Sequence, residues 1–93
     1  MFKTNEYFDG KVKSIAFSTP GGPATLGVMA PGTYEFGTST VEQMTVVSGK
    51  MVVQLPDEHD WKEYKQFEMF VVPKDKKFKL RIDSDAAYLS LYL

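Results

Sequence analysis

An all-β fold, a jelly-roll-like antiparallel β-barrel with little or no helix, is what this sequence predicts. Three observations predict it. Turn signals recur at short intervals, at Asp9-Gly10, Pro20-Gly-Gly-Pro23, Pro31-Gly32, Ser48-Gly49, Pro56-Asp57, Pro73-Lys-Asp75 and Asp83-Ser-Asp85. The runs between them are short and rich in Val, Ile, Tyr, Phe and Thr, side chains that suit a pleated, half-buried surface. No segment repeats apolar residues at i, i+3, i+4 and i+7 over the length that a stable helix needs.

Taken in order, the turn signals leave room for eight strands. Strands are expected at 12–18 and 24–29, on either side of the Pro20 to Pro23 turn, and at 32–36 after Pro31. A fourth strand at 42–48 runs into Ser48-Gly49, and a fifth at 50–55 runs out of it and stops at Pro56. Residues 69–72 end at Pro73, 78–82 end at Asp83, and 87–93 close the chain. Gly49 takes positive φ without strain, so Ser48-Gly49 reads as a two-residue hairpin that pairs the strands flanking it. Period 2 assigns faces: Glu42, Met44 and Val46 share one, Tyr34, Phe36 and Thr38 another, and Phe78, Leu80 and Ile82 a third. The alternates Lys77, Lys79, Arg81 and Asp83 should face water. Around Gln43 to Val47 both faces are apolar, as expected where a second sheet or a second subunit covers the strand.

With 93 residues the chain is expected to be one domain, 1–93, near the lower limit for a self-sufficient core, so that dimerisation would help it. Its 43% apolar, 14% aromatic and 25% charged composition argues against disorder. A formal charge of −1 gives no global field for nucleic acid or an anionic membrane, so any anion site must be local. The absence of cysteine excludes a disulfide scaffold, a thiolate zinc site and a cysteine nucleophile. No apolar run approaches the ~20 residues of a membrane helix, and Met1-Phe-Lys-Thr-Asn-Glu6 has no apolar leader segment. The expectation is a soluble, cytoplasmic protein.

Two segments resemble the motifs of the cupin fold. Glu42-Gln-Met-Thr-Val-Val-Ser-Gly49 matches the Glu-x6-Gly that closes the first motif, and Phe67-Glu-Met-Phe-Val-Val-Pro73-Lys-Asp75-Lys-Lys-Phe78 follows the second. The ligand histidines of a metal cupin are missing. Phe36 and Thr38, or Glu35 and Gly37, stand where the first pair would be, and Phe78 stands at the last ligand. The one histidine, His59, lies in a polar turn and is expected to be exposed and idle, so the usual histidine-rich iron or zinc site is excluded. Phe67 and Asp75 replace motif glycines, so these turns must differ or hold Asp75 at positive φ.

Several further stretches, Asn5-Glu-Tyr-Phe-Asp-Gly-Lys-Val-Lys-Ser14, Gly27-Val-Met29, Leu55-Pro56, Asp60-Trp61, Val72-Pro73, Tyr88-Leu89 and Tyr92-Leu93, add to these motifs. Together they make the chain resemble, from end to end, the pyrimidine/purine nucleoside phosphorylase family of small single-domain cupins. The resemblance implies a homodimer and an enzyme of the pentosyltransferase type. Inorganic phosphate, the co-substrate, would displace the base of a purine or pyrimidine nucleoside to give free base and a pentose 1-phosphate, with no other cofactor and no metal. The alternative is a non-enzymatic cupin that binds a small ligand or serves as a scaffold; phosphate consumption separates the two.

Breaking an N-glycosidic bond passes through an oxocarbenium-like state, which a carboxylate near the sugar stabilises. Glu42, the one acid expected inside the barrel, is the first catalytic candidate, against a structural carboxylate satisfied by strand neighbours. Thr38 and Tyr34 offer hydroxyl donors from the neighbouring strand, or are ordinary strand residues. A site tolerant of purines and pyrimidines suggests stacking, because every base has a π-face. Phe36, Met44, Phe78 and Tyr92 are candidate walls, each equally explicable as core. Ser90 shares a face with Tyr88 and Tyr92 and either lines the cavity with them or yields it to Leu89, Leu91 and Leu93. For phosphate, Lys11 and Lys13 lie in the most family-like stretch, while the run Lys74, Lys76, Lys77, Lys79 and Arg81 reads as a solvated face.

Overall fold

The computed structural model describes residues 1–93 as ten antiparallel strands with no helix. They are β1 (Thr4–Tyr7), β2 (Val12–Thr19), β3 (Gly22–Met29), β4 (Gly32–Gly37), β5 (Glu42–Ser48), β6 (Met51–Gln54), β7 (Lys62–Tyr64), β8 (Met69–Val72), β9 (Lys77–Ile82) and β10 (Ala86–Tyr92). Eight coincide with the expected strands to within two residues at each end. β1 and β7 are additional: β1 is polar in sequence and β7 only three residues long, so neither shows a period. The strands form a six-stranded sheet in the order β1-β2-β3-β10-β5-β8 and a four-stranded sheet in the order β4-β9-β6-β7. No ladder joins the two, so the expected barrel is realised as two open sheets face to face.

One expected pairing is overturned. β5 pairs with β10 and β8, whereas β6 pairs with β7 and β9, so Ser48-Gly49 carries the chain from one sheet to the other and is not a hairpin. Gly49 has φ +78°, and a Cβ there would lie 2.9 Å from the Asp85 carbonyl oxygen. Close passage against the β9–β10 turn, with apolar residues on both faces of β5, resembles a hairpin signal but serves a crossing between layers. The true two-residue hairpin joins β2 to β3 with Thr19 opposite Gly22. Thr19 Oγ1 accepts from Gly21 N at 3.1 Å and donates to Gly22 O at 2.8 Å.

The faces read from period 2 hold. Met44 and Val46 are buried between the sheets, as are Phe78, Leu80 and Ile82, while Lys77, Lys79 and Arg81 face solvent. Met29, Met51, Val53, Tyr64, Phe70 and Val72 complete the core, with the Tyr64 and Phe70 rings 4.8 Å apart. His59 and Trp61 lie on the exposed segment before β7. Both turns that lack the motif glycines keep a glycine-like backbone: Phe67 has φ +68° and Asp75 φ +59°. No helix is long and apolar enough to cross a membrane.

Candidate active site

The sheets diverge around a cavity of about 420 Å³ whose two walls differ in chemistry. The six-stranded sheet contributes Ser14 from β2, Met29 from β3, Glu42 and Met44 from β5, and Tyr88, Ser90 and Tyr92 from β10. Facing them are the rings of Phe36 on β4 and Phe78 on β9, with centroids 6.1 Å apart. Tyr7 and Phe8, at the end of β1, also line it, as do Glu35, Gly37 and Ser39 around the end of β4.

Register explains how the polar wall is built. Ser14, Gly27 and Tyr88 are successive cross-strand partners on β2, β3 and β10. The Tyr88 ring lies across Gly27 so closely that a Cβ there would meet its outer carbons and hydroxyl at 2.7 Å. Only glycine leaves that path open. Asn5 Nδ2 in turn donates to Ser14 Oγ at 3.3 Å. Burial pushes the Tyr88 phenol up to about 12; a hydrogen bond with Ser14 opposes part of the rise, and Tyr92, Tyr7 and Glu42 add to it. The phenol therefore stays neutral at physiological pH. One row on, Ser90, 1% exposed, donates from Oγ to Glu42 Oε1 at 3.2 Å. Tyr92 lies opposite Glu42, and its hydroxyl is 3.0 Å from Thr25 Oγ1. Burial raises the pKa of half-buried Glu42, against the lowering effect of the Ser90 hydrogen bond.

The structure thus brings together Glu42, Phe36, Met44, Phe78, Ser90 and Tyr92 of the expected site residues. On β10 the tyrosine face, not the leucine face, points inward. Thr38 and Tyr34 do not line the cavity. Thr38 Oγ1 donates to Pro73 O at 2.6 Å and accepts from Lys76 N at 3.1 Å, tying the β4–β5 loop to the β8–β9 turn. Tyr34 is a core residue whose hydroxyl donates to Ala30 O at 2.7 Å. Lys11 and Lys13 border a separate depression with Ala30 and Asp85, and Lys13 Nζ lies 3.9 Å from Glu6 Oε1. No lysine, arginine or histidine is among the residues lining the cavity that holds Glu42. A second acid, Glu35, joins Glu42 there, at the exposed rim. Phe36 and Phe78, at positions where a metal cupin presents histidines, fill that part of the cavity with rings. Tyr7, Phe8, Ser14 and Met29 were not expected in the site. The first three lie in the Asn5 to Ser14 stretch, the most family-like part of the chain, which pointed instead to Lys11 and Lys13.

Residues 2–92 match the model of the family described as pyrimidine/purine nucleoside phosphorylase. A protein of that name from Pseudomonas fluorescens is 59% identical over 92 residues, covering 99% of this chain and 98% of its own length. Another from Pseudomonas aeruginosa is 56% identical, with 99% of each chain covered. Among solved structures, a Vibrio parahaemolyticus protein of unknown function superimposes with a TM-score of 0.96 at 44% identity, covering 100% of this chain and 99% of that one. With the match running through every strand that builds the cavity, the chain belongs to the pyrimidine/purine nucleoside phosphorylase family.

Proposed function

We propose that this protein is a metal-independent nucleoside phosphorylase of broad specificity, a pentosyltransferase that works in the cavity between the sheets. The observation that carries the reading is the convergence there of a half-buried carboxylate, several hydroxyls and aromatic rings, in a chain that matches the phosphorylase family nearly end to end. The nucleoside lies with its sugar on the polar wall and its base against the rings. An oxygen of inorganic phosphate forms the new bond to the anomeric carbon as the carbon–nitrogen bond breaks; the departing nitrogen takes up a proton, and free base and pentose 1-phosphate leave. Ionised Glu42 stabilises the positive charge that develops on the sugar, an interaction strengthened by its low-dielectric surroundings. Ser90 orients the carboxylate, and the phenol hydroxyls of Tyr88 and Tyr92 bind sugar hydroxyls.

Phosphate meets hydroxyl and amide donors at the mouth of the cavity. Ser39 lines that rim, and its N–H and that of Thr40 donate to no group in the chain. Lys11 and Lys13, away from Glu42, are not needed for this reading. Thr38 acts by holding the rim loop in place. The two sheets are read as an opened cupin frame, a single domain acting as a homodimer through the outer face of the six-stranded sheet. No cofactor beyond phosphate is required.

The test is release of uracil from uridine and adenine from adenosine by purified protein, with and without inorganic phosphate and with EDTA. Release of both bases that requires phosphate and survives the chelator is the expected result. Release of neither base would leave a small-ligand-binding protein. Activity lost to EDTA and restored by metal would overturn the metal-free reading.

A further inference from the structure

The turn between β1 and β2 holds a large aromatic residue where the backbone disfavours one. Phe8 has φ +54°, Asp9 φ +57° and Gly10 φ +85°, three successive residues in the left-handed region. Glycine adopts this conformation freely and aspartate tolerates it, but for a phenylalanine it is an outlier whose cost the surrounding structure must offset. Gly10 N donates to Tyr7 O and Lys11 N to Phe8 O, both at 3.2 Å, which fixes the turn.

That backbone turns the Phe8 ring onto the cavity. Its centroid lies 5.0 Å from that of Tyr34 and 5.5 Å from that of Phe36, edge to face with the latter, and Tyr7 stands edge to face with Phe36 at 5.9 Å. Phe8 nevertheless remains 45% exposed and Tyr7 44% exposed, and both line the cavity. These rings pack on Phe36, and Phe8 also on Tyr34, yet each leaves over two-fifths of its residue surface open at the cavity.

We propose that Phe8, supported by Tyr7, is the base-stacking platform of this site and the source of its tolerance for both purines and pyrimidines. Stacking reads the π-face that all bases share and ignores the hydrogen-bonding edge by which they differ. The left-handed turn is retained because it aims the ring. For its choice of ligand the inference rests on the proposed phosphorolysis, but binding alone tests it.

The experiment measures the dissociation constants of adenosine and uridine by calorimetry without phosphate, for the wild type, Phe8→Gly, Phe8→Leu and Phe8→Tyr. Glycine accepts the backbone of residue 8, so Phe8→Gly keeps the turn, and circular dichroism with a thermal melt checks that it folds. Phe8→Gly should weaken both nucleosides about tenfold, Phe8→Leu, which retains apolar bulk without a π-face, should weaken them in the same sense, and Phe8→Tyr should restore wild-type affinity. Unchanged affinity in folded Phe8→Gly, loss for one nucleoside only, or a wild type that binds neither would overturn the platform. A wild type that binds both but releases no base would refute phosphorolysis while leaving the stacking result to stand by itself.

Discussion

Glu42 faces opposing demands. Burial raises its pKa in the folded protein, so between the ordinary carboxylate value and that raised value the folded state binds more protons than the unfolded one. Stability must therefore fall as pH rises through this window, while the ionised form needed at the sugar becomes populated over the same window. Replacing the group by a neutral isostere should remove the slope: Glu42→Gln is expected to be at least as stable as the wild type at neutral pH, as read by urea denaturation from acidic to neutral pH. A variant whose stability keeps the wild-type pH slope would show that Glu42 is not the group responsible. Tyr88 depends on its neighbour in another way. Gly27→Ala would push a methyl into the ring at 2.7 Å and displace the phenol from Ser14. A loss of about 1–3 kcal/mol is expected from overpacking, together with reduced base release. Wild-type stability and activity in Gly27→Ala would mean that the ring moves aside freely.

At the scale of elements, the sequence was informative about faces and poor about partners. Period 2 fixed which residues of β5 and β9 point inward because one buried face leaves a local trace in every second residue. Pairing leaves no such trace: β10, which begins at Ala86, lies between β3, which ends at Met29, and β5, which ends at Ser48, and Ser48-Gly49 signals a turn without saying which sheet the chain enters next. The polar wall was legible in part: alternation along β5 put Glu42 and Met44 on the inner face, whereas on β10 it left open whether Ser90 and Tyr92 or the leucines face inward. The contribution of β1 was not, because Thr4–Tyr7 has no apolar period, and Asp9-Gly10 signals a turn without showing that Phe8 before it is left-handed and lines the cavity. Of the two turns that lack the motif glycine, the one at Phe67 lends itself to a test. Phe67 has φ +68° and is 75% exposed, so its ring contributes little packing while its backbone is strained. Phe67→Gly should stabilise the protein by about 0.5–1 kcal/mol, the relief of left-handed strain less the added freedom of glycine in the unfolded chain. A lower melting temperature would mean that the exposed ring makes contacts worth more than the strain.

For the whole molecule, the six-stranded sheet works on both faces. Its inner face carries the polar wall; across its outer face Ile15, Leu26, Leu89, Thr45 and Met69 are successive cross-strand partners on five strands. Five strands at the usual spacing give a row about 19 Å long, flanked by Val28 and Val71. Ile15, Leu26, Val28, Met69 and Val71 are 47% to 55% exposed, so apolar side chains gather on one face, as they do on surfaces that meet a partner. In the proposed homodimer a second copy would cover this surface and add buried apolar area to a 93-residue chain near the lower size limit for a self-sufficient core. The wild type is expected to run as a dimer and Leu26→Glu as a monomer in size-exclusion chromatography with light scattering; a monomeric wild type would overturn the proposed dimer, and a variant that stays dimeric would place the interface elsewhere. Alternation along β3 ties this surface to the site, because Leu26 and Val28 face outward while Gly27 between them carries the Tyr88 ring. The measurement that bears most directly on the central claim is a phosphorus-31 NMR time course of wild type and Glu42→Gln with uridine and inorganic phosphate. Wild type should convert phosphate to a sugar 1-phosphate as uracil appears, and Glu42→Gln should do so at least about tenfold more slowly. Uracil without a new phosphate ester, or equal rates in the two proteins, would contradict phosphorolysis at this cavity.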